Sequence, residues 1–245
     1  ASWQLNLVFI IGPLSFRASA VQELNQVTNS NRKRIDGLLY GILDTGYVEL
    51  ERMQHVAEQL IEGGVGVLQL RAKGYDSDGV IKLVREYAPR LAEMCKSQGI
   101  PFVINDFSAA AVELQADGVH IGQDDGSLAD VRKVVGQRML VGRSTHSLSQ
   151  ARAALEEGFD YIGFGPLFPT PTKEGRPGIG IEDVSQVEKE VGSQIPVFCI
   201  GGIKPQNLEL VLASGARRVV IVSSLLQAED VTKATQHILT ELDAG

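Results

Sequence analysis

The chain has 245 residues, of which 44% are apolar and 22% are charged, and its formal net charge at pH 7 is −7. A chain of this length and composition can bury a large core and suits one large soluble domain or two small ones. The negative charge argues against a general electrostatic attraction to nucleic acid or to an anionic membrane, so neither is expected as a partner.

The first 35 residues are expected to be an N-terminal extension, separate from a folded domain at residues 36–245. Their apolar run, Leu7 to Ile11, is too short to span a bilayer, and no basic region precedes it as a secretory signal would require. A polar stretch then ends in Arg32-Lys33-Arg34, which suits either a solvated domain boundary or a nuclear or nucleic-acid signal. The sequence assigns this extension no role.

From Leu38 onward, short apolar runs alternate with amphipathic stretches, a pattern that predicts parallel strands joined by crossover helices. The strands are predicted at residues 38–43, 65–70, 102–105, 118–121, 139–142, 161–165, 197–201 and 219–222. The helices are predicted at residues 49–62, 77–96, 108–114, 128–135, 148–157, 181–191, 205–213 and 230–242. Eight strand-helix units in about 200 residues indicate a single-domain (β/α)8 barrel. The alternative is a doubly wound open sheet, but no Gly-x-Gly-x-x-Gly fingerprint opens the first unit.

The cysteine content bears on the redox environment. Cys95 falls in the second predicted helix and Cys199 in the seventh predicted strand. Two cysteines so placed give neither a disulfide framework nor a cysteine metal cluster, so a reducing, cytoplasmic location is expected.

Polar side chains follow the second predicted strand. In a (β/α)8 barrel the carboxyl ends of the strands meet at one mouth. Gln69, Arg71 and Lys73 alternate along the chain, and because alternate strand residues share a face, all three can point into that mouth. Two adjacent cations there would attract a polyanion. The alternative is that Arg71 and Lys73 are solvated residues at a strand exit.

Carboxylates follow the third and fourth predicted strands, which are neighbours. Asp106 comes directly after Asn105, and Asp125 lies just beyond the fourth strand. Two carboxylates can hold Mg²⁺ whose remaining ligands are waters and substrate phosphate oxygens. Asp106 has an alternative use as the cap of the following helix. His120 has no second His or Cys at ligand spacing, so we expect it to be packed or hydrogen-bonded rather than metal-bound.

The fifth predicted strand is followed by Ser144 and His146, which offer a hydroxyl for a phosphate and an imidazole for proton transfer. No Gly-x-Ser-x-Gly elbow is present, and a nucleophile is unnecessary when the leaving group is already good. A hydrolase triad is therefore not expected. Ser147 is predicted to cap the helix that follows.

The loop after the sixth predicted strand, within Gly163–Lys173, carries three prolines, two threonines and a lysine. Prolines fix the backbone, so this loop is expected to be rigid and to hold an anionic substrate. Glycines 201 and 202 and the segment Val222-Ser223-Ser224 follow the last two strands, where many barrels bind phosphate through backbone N–H groups. Two anion sites predict two phosphorylated ligands.

These motifs resemble the thiamine phosphate synthase family, over a match that runs from about Leu38 to the C-terminus. The resemblance rests on six ordered motifs: Gln69-x-Arg71-x-Lys73, Asn105-Asp106, Ala116-Asp117-Gly118-Val119-His120-Ile121-Gly122-Gln123-x-Asp125, Ser144-x-His146, Pro169-Thr170-x-Thr172-Lys173 and Ile200-Gly201-Gly202-Ile203. It implies transfer of an aminopyrimidine-methyl group from its diphosphate to the ring nitrogen of a thiazole phosphate. In that family diphosphate leaves early, and the thiazole captures the resulting pyrimidine-methyl cation.

The resemblance also implies roles for individual residues. Those implied to stabilise the departing diphosphate are Arg71, Lys73, Asn105 and Lys173, with Mg²⁺ held by Asp106 and Asp125. Ser144 is implied to contact the pyrimidine, and Gln69 is implied to bind substrate. Those implied to hold the thiazole phosphate are Thr170, Thr172, Gly202, Val222 and Ser223. Arg71, Lys73, Ser144 and Lys173 are the implied catalytic residues. Closure of the loop at residues 166–180 would keep water from the cation.

Two other functions remain open at this stage. One is a thiazole tautomerase, an isomerase similar to this family that binds thiazole phosphate without a pyrimidine diphosphate. The other is a non-catalytic barrel that senses a phosphorylated ligand and needs no magnesium. The set of charged residues suited to a diphosphate favours the synthase, because charge gathered at a barrel mouth is costly to retain without use. The oligomeric state, including a homo-oligomer, is left open.

Overall fold

Eight parallel strands close into a barrel in the computed structural model, which describes residues 35–170 and 177–244. Each strand pairs with the next along the chain, and β8 pairs with β1. The strands are β1 Leu39–Asp44, β2 Val67–Arg71, β3 Phe102–Asn105, β4 Gly118–Ile121, β5 Leu140–Thr145, β6 Tyr161–Phe164, β7 Val197–Ile200 and β8 Val219–Val220. The predicted (β/α)8 barrel is confirmed. Residues 1–34, which are all but the last residue of the expected extension, lie outside the described residues.

Helices follow the strands around the outside of the barrel. Within the described residues they are α1 Met53–Gly63, α2 Ser77–Ser97, α3 Ser108–Leu114, α4 Leu128–Val135, α5 Leu148–Glu157, α6 Val184–Val187, α7 Pro205–Ala213, α8 Ser223–Leu226 and α9 Val231–Ala244. A 3₁₀ turn, Leu50–Arg52, precedes α1, and a π-helical turn, Glu188–Gly192, continues α6. None of the helices described is long and apolar enough to cross a membrane.

Local signals fixed several helix starts. Asp76, Ser127 and Ser147 are the N-caps of α2, α4 and α5, and each side chain accepts a hydrogen bond from a backbone N–H three residues on. Such a bond satisfies one of the N–H groups that a helix start leaves without a partner. The predicted capping role of Ser147 is confirmed.

Some element bounds differ from the predicted ones for identifiable reasons. Strand β5 runs to Thr145, beyond the predicted end at residue 142, because its backbone pairs with β6 as far as Thr145 and Phe164. The buried Thr145 hydroxyl also donates to the Gly163 carbonyl of β6 at 3.0 Å. Strand β8 is short, and the predicted loop after it is instead helix α8 from Ser223. The predicted helix at 181–191 begins only at Val184.

The strands separate two apolar clusters. One lies between the barrel and its helices, and the other fills the barrel interior with side chains that include Tyr40, Val103, Leu140, Tyr161 and Phe198. Side chains alternate in direction along a strand, so interior residues recur at every second position. On β1 and β2 this alternation carries polar side chains toward the carboxyl end of the barrel.

Candidate active site

A cavity opens at the carboxyl ends of the strands, where active sites of (β/α)8 barrels lie. Its lining combines apolar side chains, such as Ile42 and Phe198, with polar side chains of several strands. The predicted site residues that line it are Gln69, Arg71, Asn105, Ser144, Thr170, Gly202, Val222 and Ser223. The fold therefore brings together residues that the sequence separates by more than 150 positions.

Arg71 is held in the cavity wall by a buried carboxylate. Its Nη1 atom donates to Asp44 Oδ2 at 2.5 Å, and the Asp44 side chain is fully buried while that of Arg71 is 17% exposed. The second carboxylate oxygen of Asp44 accepts from the Gly46 N–H at 2.8 Å. Asp44 thus has a partner on each oxygen, which is what a buried carboxylate requires.

Lys73 does not reach the cavity with its two strand neighbours. Strand β2 ends at Arg71, and Lys73 is exposed in the turn that follows and is not part of the cavity lining. Its backbone is fixed to β1, because Lys73 N–H donates to Thr45 Oγ1 at 2.8 Å. The alternation that predicted three inward side chains stops where the strand stops.

Asp106 and Asp125 lie at the ends of adjacent strands but outside the cavity lining, and both are exposed. Asp106 N–H donates to the His120 carbonyl at 2.8 Å, which joins the end of β3 to β4. Asp106 has a φ of 64°, a left-handed conformation that Asp tolerates better than most residues. The N-cap of α3 is Phe107, so the alternative of Asp106 as the N-cap is wrong.

The loop that carries Asp125 is tied to β5. Asp125 Oδ2 accepts from the Gly122 N–H at 2.6 Å. Arg143 donates to the carbonyls of Gly126 at 2.8 Å and Gln123 at 3.2 Å, on either side of Asp125. Within the described residues no group of three or more His, Cys, Asp or Glu side chains could hold a metal ion by itself. A cation at Asp106 and Asp125 would therefore need further oxygen ligands from water or a bound ligand.

His120 is hydrogen-bonded inside the barrel, as predicted. Its Nε2 lies 3.0 Å from Ser144 Oγ, and its Nδ1 lies 3.3 Å from the hydroxyl of Tyr161. The hydroxyl of Tyr161 lies 3.1 Å from that of Tyr40, and burial raises the pKa of both tyrosines. Both phenols therefore stay protonated at neutral pH and can each donate one hydrogen bond.

His146 lines the same cavity on the side of the β6 loop. Its Nδ1 forms a hydrogen bond with the Gly165 carbonyl, and because a carbonyl only accepts, Nδ1 carries a hydrogen. The proton-transfer role considered for His146 stays a prediction.

The loop after β6 is fixed at its base on two sides. Leu167 and Phe168 donate backbone hydrogen bonds to the carbonyls of Ile200 at 2.8 Å and Gly201 at 3.0 Å. On the other side, Pro166 and Leu167 accept from the N–H groups of residues 179 and 180 at 2.8 and 3.1 Å. Thr172 and Lys173, and the tip of this loop, lie outside the described residues.

The Gly201-Gly202 turn has a close neighbour that the sequence did not identify. Both glycines have positive φ, and a Cβ at Gly202 would lie 2.7 Å from Phe168 Cβ and 2.9 Å from the Pro169 carbonyl. A Cβ at Gly201 would lie 2.3 Å from Pro166 Cα. The close approach that these glycines permit is thus to the β6 loop as well as to any phosphate in the cavity.

Ser223 begins the short helix α8, whose N-cap is Val222. The first N–H groups of a helix have no acceptor within it, and they carry the positive end of its dipole. Ser223, Gly202 and Thr170 all line the cavity.

Three site residues escaped prediction. Asp44 directly follows an apolar run at an interior position two residues beyond Ile42, and this alternation was the available signal. Tyr40 and Tyr161 stand at positions that fit the apolar alternation of their strands. Nothing in the neighbouring sequence distinguishes them from aromatic residues of the core. Only their contact across the closed barrel reveals a polar role.

A protein-family model described as thiamine monophosphate synthase matches residues 39–225. The chain is similar to a thiamine-phosphate synthase of Nostoc sp., 40% identical over 193 residues, which are 79% of this chain and 53% of that protein. It is also similar to a thiamine-phosphate synthase of Bacillus cereus, 35% identical over 222 residues, which are 89% of this chain and 98% of that protein. The chain therefore spans about half the length of the Nostoc relative, 53%, and nearly all of the Bacillus one.

A solved structure of a thiamine phosphate pyrophosphorylase from Pyrococcus furiosus superposes with a TM-score of 0.72 at 27% identity. The superposition covers 89% of this chain and 98% of that one.

Proposed function

The chain belongs to the thiamine monophosphate synthase family, and we propose that it condenses 4-amino-2-methyl-5-hydroxymethylpyrimidine diphosphate with 4-methyl-5-(2-hydroxyethyl)thiazole phosphate. The products are thiamine phosphate and diphosphate. The observation that carries this proposal is the meeting of Gln69, Arg71, Asn105 and Ser144 at one cavity in a chain of this family. The relatives reported above are named for the synthase, which favours it over the tautomerase.

The proposed reaction breaks one bond and forms one bond. The C–O bond between the pyrimidine methylene and the diphosphate breaks, and its electron pair leaves with the diphosphate oxygen. The thiazole nitrogen then gives its lone pair to the methylene carbon, forming the C–N bond of thiamine phosphate. Charge therefore develops on the diphosphate and on the methylene, and groups placed for those charges lower the barrier.

Arg71 supports this proposal as a cation in the cavity lining. Its guanidinium is fixed by Asp44, so it needs no reorganisation as negative charge grows on the diphosphate. Asn105, at the end of β3, adds an amide donor in the same wall. We assign Lys73 and Lys173 to the same leaving group by family resemblance. Lys73 would reach it from the turn after β2.

Asp106 and Asp125 fit a magnesium ion of the kind that binds diphosphates. Mg²⁺ keeps several waters and takes one or two carboxylates together with substrate phosphate oxygens, which matches two exposed aspartates on adjacent strand ends. When bound, Mg²⁺ would supply charge neutralisation to the departing diphosphate. The roles of this chain are to hold Asp125 through Gly122 and Arg143 and to place Asp106 at the end of β3.

The thiazole phosphate is assigned to the other side of the cavity. Thr170, Gly202 and Ser223, which the family resemblance assigns to this phosphate, all line the cavity. Thr172 is assigned to the same phosphate by resemblance. By family resemblance, closure of the loop at residues 166–180 would keep water from the methylene cation.

The test is to mix both phosphorylated substrates with the protein and Mg²⁺ and to follow thiamine phosphate by chromatography. The expected result is product formation that requires both substrates and is abolished by a magnesium chelator. Binding of both substrates without product would contradict the proposal and would favour the ligand-sensing alternative.

A further inference from the structure

Five side chains form a continuous hydrogen-bonded row across the barrel beneath the cavity. Gln69 Nε2 donates to the Tyr40 hydroxyl at 2.8 Å, and that hydroxyl lies 3.1 Å from the Tyr161 hydroxyl. The row continues from Tyr161 to His120 Nδ1 at 3.3 Å and from His120 Nε2 to Ser144 Oγ at 3.0 Å. Gln69, Tyr40 and Tyr161 are no more than 2% exposed, so water does not compete for these bonds.

The row has one direction. An amide nitrogen only donates, so Tyr40 accepts from Gln69 and has its single proton left for Tyr161. Tyr161 accepts that hydrogen bond and donates its own hydrogen bond to His120 Nδ1. Nδ1 is then the acceptor nitrogen of a neutral imidazole, Nε2 carries the hydrogen, and Ser144 Oγ accepts from it. The proton of Ser144 is left to donate to something else.

The two ends of the row therefore differ: the Gln69 end offers a hydrogen-bond acceptor and the Ser144 end offers a donor. Gln69 Oε1 is buried and has no hydrogen-bond partner among the described residues, and Gln69 is one of the residues that line the cavity. A buried carbonyl without a partner costs about 1–3 kcal/mol, which a ligand donor would recover. Ser144, at the other end, presents a hydroxyl proton to the same cavity.

We propose that Tyr40, Tyr161 and His120 are positioning residues that fix Gln69 as a hydrogen-bond acceptor and Ser144 as a donor toward the aminopyrimidine ring. This inference rests on the proposed function for the identity of that ring. An aminopyrimidine carries an exocyclic amino donor and ring-nitrogen acceptors, so the amino group matches Gln69 Oε1 and a ring nitrogen matches the Ser144 hydroxyl. The row thus selects the amino-substituted ring over one that lacks the amino group.

The surrounding packing keeps the rings of the row in place. A Cβ at Gly142 would lie 2.1 Å from Tyr161 Cζ and 2.6 Å from His120 Nδ1, so only a glycine leaves room for both rings. Phe198 packs edge-on against Tyr40 and Tyr161, with ring centroids 5.1 and 6.2 Å away. Rotation of either phenol would break these contacts, so the hydroxyl positions are fixed by the core.

The experiment measures how changes in the middle of the row affect the ligand selectivity of the cavity. Isothermal titration compares the affinities of the protein for the aminopyrimidine diphosphate and for the same compound with hydrogen in place of the amino group. The unaltered protein is expected to prefer the amino compound. Tyr161 does not contact Gln69 in the row. Tyr161→Phe is nevertheless expected to reduce that preference about tenfold, because the Tyr40 hydroxyl can then donate its hydrogen bond toward Gln69.

Two further variants make the test specific. Tyr40→Phe cuts the row at another bond and is expected to reduce the preference to a similar extent. Tyr87→Phe removes a phenol hydroxyl from helix α2, away from the cavity, and is expected to leave it unchanged. Circular dichroism of each variant checks that the barrel is folded.

The outcomes separate this inference from the proposed function. Preference for the amino compound that Tyr161→Phe and Tyr40→Phe both leave intact would overturn the inference, as would equal affinity of the unaltered protein for the two compounds. Loss of affinity for both compounds by the same factor would indicate a merely structural role and would overturn it too. Failure of the unaltered protein to form thiamine phosphate would overturn the proposed function, whatever the row does to binding.

Discussion

Asp44 of β1 and Arg71 of β2 face each other in the strand register, and Arg71 Nη1 donates to Asp44 Oδ2 at 2.5 Å. The carboxylate is fully buried, whereas the guanidinium is partly exposed at the cavity. Arg71 thus reaches the cavity from a buried anchor. A cation held in this way is oriented before any anion binds, and the Asp44 charge offsets part of its own charge.

Asp44→Asn tests this anchor. The amide keeps the size of the side chain and an acceptor for Gly46 N–H, but it removes the charged partner of Arg71. A hydrogen bond between charged groups is stronger than a neutral one, so kcat/KM for the pyrimidine diphosphate is expected to fall about tenfold or more. Asp78→Asn, on an exposed turn of α2, is the control. Unchanged kcat/KM in Asp44→Asn would show that Arg71 needs no anchor.

Asp125→Asn tests the proposed division between the two substrate sites. Loss of one of two carboxylates is expected to lower turnover by on the order of a hundredfold and to raise the Mg²⁺ concentration needed for half-maximal rate. The affinity for thiazole phosphate, measured by calorimetry, should change little. Asp124→Asn, the exposed neighbour, is the matched control and should behave like the unaltered protein. Equal losses of turnover and thiazole phosphate affinity would contradict the division.

Gly202→Ala tests the contact between the β7 turn and the β6 loop. The added Cβ would meet Phe168 Cβ at 2.7 Å and the Pro169 carbonyl at 2.9 Å, so the loop base must shift. We expect KM for thiazole phosphate to rise about tenfold or more, since a displaced loop misplaces Thr170. Gly158→Ala is the matched control, because Gly158 also has positive φ, in the left-handed region, but a Cβ there would meet nothing within 4 Å.

The control separates backbone strain from the clash. A left-handed alanine costs about 1–2 kcal/mol in either position, so both variants should lose similar stability from strain alone. Only Gly202→Ala should change the kinetics. If Gly158→Ala raised KM equally, the effect would come from general destabilisation rather than from the loop.

Glu188→Gln tests a buried carboxyl away from the cavity. Glu188 is 7% exposed, and burial raises its pKa above the ordinary value of 4.5. A carboxyl with a raised pKa binds more protons in the folded state, so its contribution to stability is greatest at low pH and falls as pH rises above 4.5. The amide resembles the protonated form. Urea denaturation should therefore show the variant gaining stability relative to the unaltered protein between about pH 4 and pH 8.

Glu190→Gln provides the opposite case on the same turn. The Arg152 guanidinium and the Gln186 amide lower the pKa of Glu190 to about 2. Such a carboxylate stabilises the fold above its unfolded pKa of 4.5 and loses that effect as pH falls toward 2. The variant should lose stability relative to the unaltered protein at neutral pH, and the difference should shrink in acid. The same sign of pH dependence in both variants would contradict this account.

Most of the barrel could be predicted because its signals are local. Alternation of apolar residues located the eight strands, and caps such as Ser147 located helix starts to within a few residues. Boundaries failed where tertiary contacts decided them. Thr145 belongs to β5 because its backbone pairs with β6, and Lys73 lies outside the cavity lining because β2 ends before it.

The sequence by itself determined the fold, the family resemblance and the residue types at the strand ends, because periodicity, caps and motifs are properties of short segments. The tertiary structure alone decided the partners: Asp44 for Arg71, the β6 loop for Gly201 and Gly202, and Tyr40 for Tyr161. Each of these pairs joins different strands or loops, and 121 positions separate the two tyrosines. Such contacts depend on barrel closure and register, which bring distant interior positions to one place and which no local pattern encodes.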